Sequence, residues 1–261
     1  MFNKLRSRVK RTLLKLFEIF SNKVLDPDRI RDPFYRQKFL TNNCGPLTIF
    51  DVGAYIGTVA LGYNDIFPGS EIHCFEPYPG NYKKLCENVK GRPSIKPFQL
   101  AVSDKDSSVD FFVNSGWEST SSLFERSQYG RRYYPNGADS SSRIEVRAIT
   151  LDYHCEKNAI NKIDILKMDI QGGELSALRG AQKLLKGNKI SVLFLEVMFI
   201  PHYKDAPLFR DIEQFLAQYG YSLYNIYSLS HGKNGQLRHG DAIFVSEMIR
   251  NNVLDKFHNE P

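Results

Sequence analysis

Ile49-Phe50-Asp51-Val52-Gly53-Ala54-Tyr55-Ile56-Gly57, followed by Ile72-His73-Cys74-Phe75-Glu76-Pro77, is the stretch whose reading decides the fold. An apolar run enters a glycine loop, a helix start follows, and a second apolar run ends on a carboxylate. That is the layout of a nucleotide-type site at the strand ends of an α/β sheet. The glycine spacing is G-x-x-x-G rather than the G-x-G-x-x-G of a dinucleotide site. Asp51 stands at the strand end, where a carboxylate repels the phosphates that a helix N-terminus otherwise attracts.

This charge pattern suits a cofactor that carries an ammonium and a sulfonium but no phosphate, which is S-adenosyl-L-methionine. Gly53 and Gly57, with Ala54 and Tyr55 between them, let the backbone approach its methionyl part. Asp51 is expected to meet the amino group, and Glu76, before Pro77, to accept hydrogen bonds from the ribose hydroxyls. Ser103 or Asp104, after the third strand, is placed at the adenine edge. The alternative is that the acid caps a turn in Ser103-Asp104-Lys105-Asp106.

A chain of 261 residues with 42% hydrophobic residues can bury a core the size of one large α/β domain with a small appendage. Cys44, Cys74, Cys86 and Cys155 form no C-x-x-C pair, so they read as reduced thiols in a cytosolic setting. The formal charge of +6 resides in the first 23 residues, where Lys4, Arg6, Arg8, Lys10, Arg11, Lys15 and Lys23 face only Glu18. The remaining 28 basic and 28 acidic residues balance, so no nucleic-acid partner is expected.

The same segment places Phe2, Leu5, Val9, Leu13, Leu16, Phe17 and Phe20 at helical spacing. It reads as an amphipathic basic helix within an N-terminal segment, residues 1–40, ahead of the main domain, residues 41–261. Charges interrupt its apolar runs, so it is neither a signal peptide nor a membrane span. Two principal readings stand: a helix packed on its own domain, or one lying on an anionic membrane surface. A mitochondrial presequence is a lesser third.

From Thr48 onward apolar runs alternate with helical patterns, which predicts βαβ units and a parallel sheet. Strands are expected at Ile95 to Val102, Ser108 to Val113, Ile144 to Ile149, Ile163 to Met168, Ser191 to Leu195, Tyr221 to Ile226 and Ala242 to Val245. Helices are expected at Tyr82 to Val89, Gly173 to Leu185 and Leu208 to Tyr219. Asp51, Glu76 and Asp169 each close a strand, and in open parallel sheets ligands bind beyond those ends.

Asp51-Val52-Gly53-Ala54-Tyr55-Ile56-Gly57, Phe75-Glu76-Pro77, Ala101-Val102-Ser103-Asp104, Thr150-Leu151-Asp152, Ile165 to Glu174, Leu178-Arg179-Gly180-Ala181 and Phe194-Leu195-Glu196-Val197 occur in this order. In these motifs the chain resembles the FkbM family of S-adenosylmethionine-dependent methyltransferases, over roughly residues 48 to 245. The resemblance implies an α/β, Rossmann-like class I methyltransferase fold: a mixed seven-stranded sheet with its last strand antiparallel, here with an N-terminal helical extension. It also implies O-methylation of sugars or natural products, or N-methylation of peptides in some similar proteins. Position 171 is Gln, where many relatives carry Glu, so that side chain is not a required base here.

A hydroxyl acceptor must lose a proton, and Asp169, Glu196 and His202 are the candidate bases. Glu174 reads instead as an acid at a helix N-terminus. Trp117, Ser119 and Ser121 lie in an excursion over residues 115–143, rich in Tyr and Arg, that suits a lid or an acceptor loop. Gln171, His231 and His239 complete the expected acceptor contacts. No local metal-ligand motif is present, so no metal is expected. The sequence reads as a methyltransferase for a hydroxyl of a saccharide, glycolipid or natural product, cytoplasmic and in contact with membrane if residues 1–23 bind one. N-methylation of a peptide or amide side chain, and a cofactor-binding scaffold without chemistry, are the alternatives.

Overall fold

The computed structural model describes residues 31–42, 45–114, 118–133 and 141–256. The basic segment 1–23, Cys44, Trp117 and Tyr134 lie outside them. Among the described residues there are ten strands: β1 (Thr48–Val52), β2 (Glu71–Phe75), β3 (Ile95–Phe98), β4 (Ala101–Val102), β5 (Ser107–Asn114), β6 (Ser141–Ile149), β7 (Ile163–Met168), β8 (Ile190–Met198), β9 (Ser222–His231) and β10 (Leu237–Val245). The principal helices are α1 (Pro33–Leu40), α2 (Thr58–Ile66), α3 (Pro79–Asn88), α4 (Gln128–Tyr133), α5 (Leu151–Lys157), α6 (Glu174–Arg179), α7 (Gln182–Lys186) and α8 (Phe209–Ala217). No helix among the described residues is long and apolar enough to cross a membrane.

Seven strands form one sheet in the order β3-β2-β1-β7-β8-β10-β9. Strand β10 runs antiparallel to both β8 and β9, and the other neighbours are parallel. This is the expected mixed sheet with its last strand reversed. Alternate residues of the central strands enter opposite layers: Ile49 and Ile165 on one face, Phe50, Val52, Leu166 and Met168 on the other. Burial on both faces explains why these strands read as continuous apolar runs. The order reverses between β1 and β7, so a crevice opens beyond their carboxyl ends.

Helix α1 begins where Asp32 accepts hydrogen bonds from the amides of Phe34 (2.9 Å) and Tyr35 (3.3 Å), with Pro33 at its first position. Leu40 is fully buried, and Tyr63 donates to Gln37 at 2.8 Å. The end of the expected N-terminal segment therefore packs into the main core.

The structure corrects the sequence reading in three places. The expected strand Ile95 to Val102 is two strands, because the Leu100 amide turns back to the Phe98 carbonyl (3.0 Å). Strand β4 then leaves the main sheet and joins β6 and β5 in a second, three-stranded sheet. The expected helix Gly173 to Leu185 breaks at Gly180, whose backbone lies so close to the Ser103 carbonyl oxygen that a Cβ there would stand 2.1 Å from it. The last two strands are longer than expected, because their antiparallel ladder continues from Val245 and Ser222 out to the Leu237–His231 pair.

Strand β7 is apolar except at Asp164 and Lys167, and the parallel register sets Lys167 beside Asp51 of β1. The ammonium lies 2.9 Å from Asp51 Oδ1 and donates to the Gly53 carbonyl at 3.1 Å, both side chains being buried. Burial pushes the Asp51 carboxyl up and Lys167 draws it back down. Burial also works against the Lys167 charge, but Asp51 and Asp169 hold it above its ordinary range. Lys167→Met would leave Asp51 buried without its cation, a loss of about 3–5 kcal/mol in denaturant unfolding. Adding Asp51→Asn should recover part of that loss. An unchanged midpoint in the single variant would show that the pair does not hold these strand ends.

Candidate active site

The glycine loop is shaped by two close approaches. The amides of Gly53 and Ala54 both donate to the Phe75 carbonyl at 3.0 Å, tying the ends of β1 and β2 together. Gly53 has φ +77°, and a Cβ on it would stand 2.0 Å from the Asp169 carbonyl oxygen, so only glycine fits between β1 and β7. Beyond it, the Tyr55 amide donates to Glu76 Oε2 at 3.0 Å and the Tyr78 amide to Glu76 Oε1 at 2.9 Å. Burial nonetheless raises the Glu76 carboxyl to about 7, with the two amides pulling the other way.

A cavity of about 510 Å³, open to solvent, lies over these strand ends. Its walls include Gly53, Tyr55, Glu76, Pro77 and Asp169 from the main sheet, and Glu118, Ser119 and Ser121 from the segment that follows β5. Three carboxyl groups line it, and no Lys or Arg does among the described residues. Such a wall repels phosphate and favours a cation.

The other residues expected at the cofactor do not line this cavity. Asp51 lies beneath the loop with Lys167, and Ala54 is buried. Gly57 serves packing, since its φ is +89° and a Cβ would stand 2.7 Å from Leu85. Ser103 presents its carbonyl to Gly180 and its hydroxyl to Asp104 (3.3 Å), and Asp104 is exposed.

A second cleft, of about 630 Å³, adjoins the first, and Asp169 and Ser119 line both. After β7 the chain turns through Gln171 (φ +56°) and Gly172 (φ +98°). Glu174 holds this turn from below, accepting from the amides of Ile170 and Gly172 at 2.9 Å, while burial raises its carboxyl to about 7. It is therefore a structural brace. Gln171 Nε2 donates to Asp169 Oδ1 (2.8 Å) and to Glu196 Oε2 (2.6 Å), and Gln171 Oε1 accepts from the Tyr203 hydroxyl (2.5 Å).

Burial first, and the charge of Asp169 second, push the Glu196 carboxyl well above its ordinary range. His239 Nδ1 lies 3.7 Å from Glu196 Oε1, and the His202 and His239 rings are 5.7 Å apart. Burial, then Arg238 and His239, holds His202 down to about 4, and burial lowers His239 as well. Both rings are thus neutral donors and acceptors at pH 7. His231 is exposed at the far end of β9 and lines neither cleft.

Residues 118–130 cover both clefts. Ser122 pairs with Phe112, its hydroxyl donates to the Gln171 carbonyl (2.7 Å), and Arg126 pairs with Tyr203. A Cβ on Gly130 would stand 2.3 Å from the His202 carbonyl oxygen, so α4 sits directly on the loop after β8. Thr120, Arg126, Met198 and Tyr203 line the second cleft and were not anticipated. Among the described residues no group of three or more His, Cys, Asp or Glu side chains is arranged to hold a metal ion.

Among proteins of known activity, the 2-O-methyltransferase NoeI of Sinorhizobium fredii is 27% identical over 143 residues, 52% of this chain and 58% of that protein. The 31-O-demethyl-FK506 methyltransferase FkbM of Streptomyces tacrolimicus is 28% identical over 155 residues, 51% of this chain and 59% of that protein. The chain thus spans less than two thirds of the length of either relative. The crystal structure of methyltransferase FkbM from Methylobacillus flagellatus KT shares 16% identity at a TM-score of 0.47, covering 77% of this chain and 43% of that one. The family model for the methyltransferase FkbM domain matches residues 51–223, from Asp51 of the glycine loop to Leu223 of β9. The chain belongs to that family.

Proposed function

We propose that this protein is an S-adenosylmethionine-dependent methyltransferase that acts on a hydroxyl acceptor, with Asp169 as the base. The observation that carries this reading is a cavity walled by Glu76, Glu118 and Asp169, without Lys or Arg among the described residues, that meets a second polar cleft at Asp169. The residues present fit the cofactor. Glu76 would accept from the ribose hydroxyls, the backbone at Gly53 would face the methionyl part, and the acidic wall would favour its cationic groups. When bound, S-adenosylmethionine supplies a methyl group on a sulfonium centre. Positioning then accounts for much of the rate, and the chain must still remove a proton from the acceptor.

Asp169 stands where the two clefts join, within reach of an acceptor hydroxyl in the second. Glu196 lines only the second cleft and is the weaker candidate for the base, and His202 is too feebly basic. Arg126, Thr120, His202 and His239 offer polar contacts around the second cleft, which suits a hydroxyl-rich acceptor such as a saccharide or glycolipid. The names of the two relatives, both of which specify O-methylation, support a hydroxyl. The basic and apolar residues among 1–23 fit an enzyme that meets a glycolipid at an anionic surface.

Calorimetry with S-adenosylmethionine should give binding that tightens as pH rises through about 7 and levels off above it, because ligand hydroxyls favour ionised Glu76. Glu76→Gln should weaken binding about tenfold and flatten that dependence. Absence of binding by the folded protein would remove the reading. With labelled cofactor and a panel of glycans and hydroxylated acceptors, Asp169→Asn should lower turnover about 10²- to 10⁴-fold, with a smaller change in cofactor affinity. Full turnover in that variant would exclude Asp169 as the base.

A further inference from the structure

Gln171 lines the second cleft, and its side chain is held there by three hydrogen bonds. A carboxamide has two hydrogens on nitrogen, and here one goes to Asp169 and the other to Glu196, at 2.8 and 2.6 Å. Its oxygen takes the single proton of the Tyr203 hydroxyl at 2.5 Å, while the Thr120 carbonyl lies farther from that hydroxyl, at 3.1 Å. The reverse orientation would press the amide oxygen against two carboxyl groups, so Tyr203 and the acids together fix the assignment. The backbone is held as firmly, by φ +56° and by Ser122 on the Gln171 carbonyl.

Building on the proposed methyl transfer, we infer that Gln171 is a positioning residue: clamped by Tyr203, its carboxamide binds Asp169 and Glu196 side by side and turns Asp169 toward the acceptor. Two carboxyl groups this close are not readily ionised together, and the bridging hydrogens favour the state with one negative charge. Burial and the charge of Asp169 raise the Glu196 carboxyl above its ordinary range. The other groups facing the pair are Lys167 on β7, Glu174 on α6, Asp241 and His239 on β10, Tyr203 and His202 after β8, and Glu118 and Arg126 in the covering segment. Tyr203 also contacts Thr120 of that segment, so the amide is braced by the element that roofs both clefts.

The test is Gln171→Asn in the full chain. Asparagine tolerates the left-handed backbone, so the turn is kept, but it is one methylene too short to reach both acids. The expected result is a drop in kcat of about 10- to 100-fold and an upward shift of the acid limb of the pH–rate profile by about one unit. Acceptor KM and cofactor affinity should stay within about twofold. Tyr203→Phe should move the same limb in the same direction by less. A higher KM with unchanged kcat and pH profile would make Gln171 an acceptor ligand and overturn the proposal.

A readout independent of turnover is carboxyl-carbon NMR of protein labelled at Asp and Glu. In the unsubstituted protein the Glu196 carboxyl should titrate above its ordinary range, and Gln171→Asn, which removes a hydrogen-bond donor from it, should move that titration further upward. No movement overturns the proposal. If the unsubstituted protein transfers no methyl to any acceptor while the NMR shift appears, the methyltransferase reading fails and the bridge stands.

Discussion

The site rests on how closely the ends of β1 and β7 approach each other. Gly53 passes so near the Asp169 carbonyl that no side chain fits between them, and Lys167 stitches the two strands from below through Asp51 and the Gly53 carbonyl. The geometry above follows from this junction. Gly53 and Ala54 are carried onto the end of β2, Tyr55 reaches Glu76, and Asp169 is delivered to the boundary between the two clefts.

The same junction organises the electrostatics. A buried ammonium lies under a region dense in carboxyl groups, and it keeps Asp51 from being an uncompensated charge in the core. Above it the acids have separate duties. Glu174 is consumed by backbone amides, Glu76 is held by two others at the cavity wall, and Asp169 and Glu196 share the Gln171 amide. Similar side chains thus differ in role through their hydrogen-bond partners, which the surrounding turns supply.

Much of this was legible in the chain. The glycine loop, the acids closing β1, β2 and β7, and the alternation of apolar runs with helical patterns led to the sheet and to Glu76 and Asp169. The sequence did not show Asp51 buried against Lys167, because a strand-end carboxylate looks the same whether it faces a ligand or a cation in the neighbouring strand. Its partner lies across the sheet at a residue far away in sequence, and only the β1–β7 register pairs them. Lys167 between Leu166 and Met168 was the available signal, since a lysine in an apolar strand requires a partner. Tyr203 beside His202, and Arg126 in the covering segment, carried no periodicity that marked them.

By itself the sequence determined which segments are buried strands, where the chain must turn on glycine, and that the cavity wall is acidic. These follow from local patterns: apolar runs, residues without a Cβ, and the charge of nearby side chains. Tertiary structure alone decided that Asp51 is sealed beneath the loop, that His239 reaches the cleft while His231 does not, that Gly180 splits a helix against Ser103, and that Gln171 bridges two acids. Each of these depends on which distant backbone lies within a few ångströms, and that distance is set by strand order and register rather than by any local pattern.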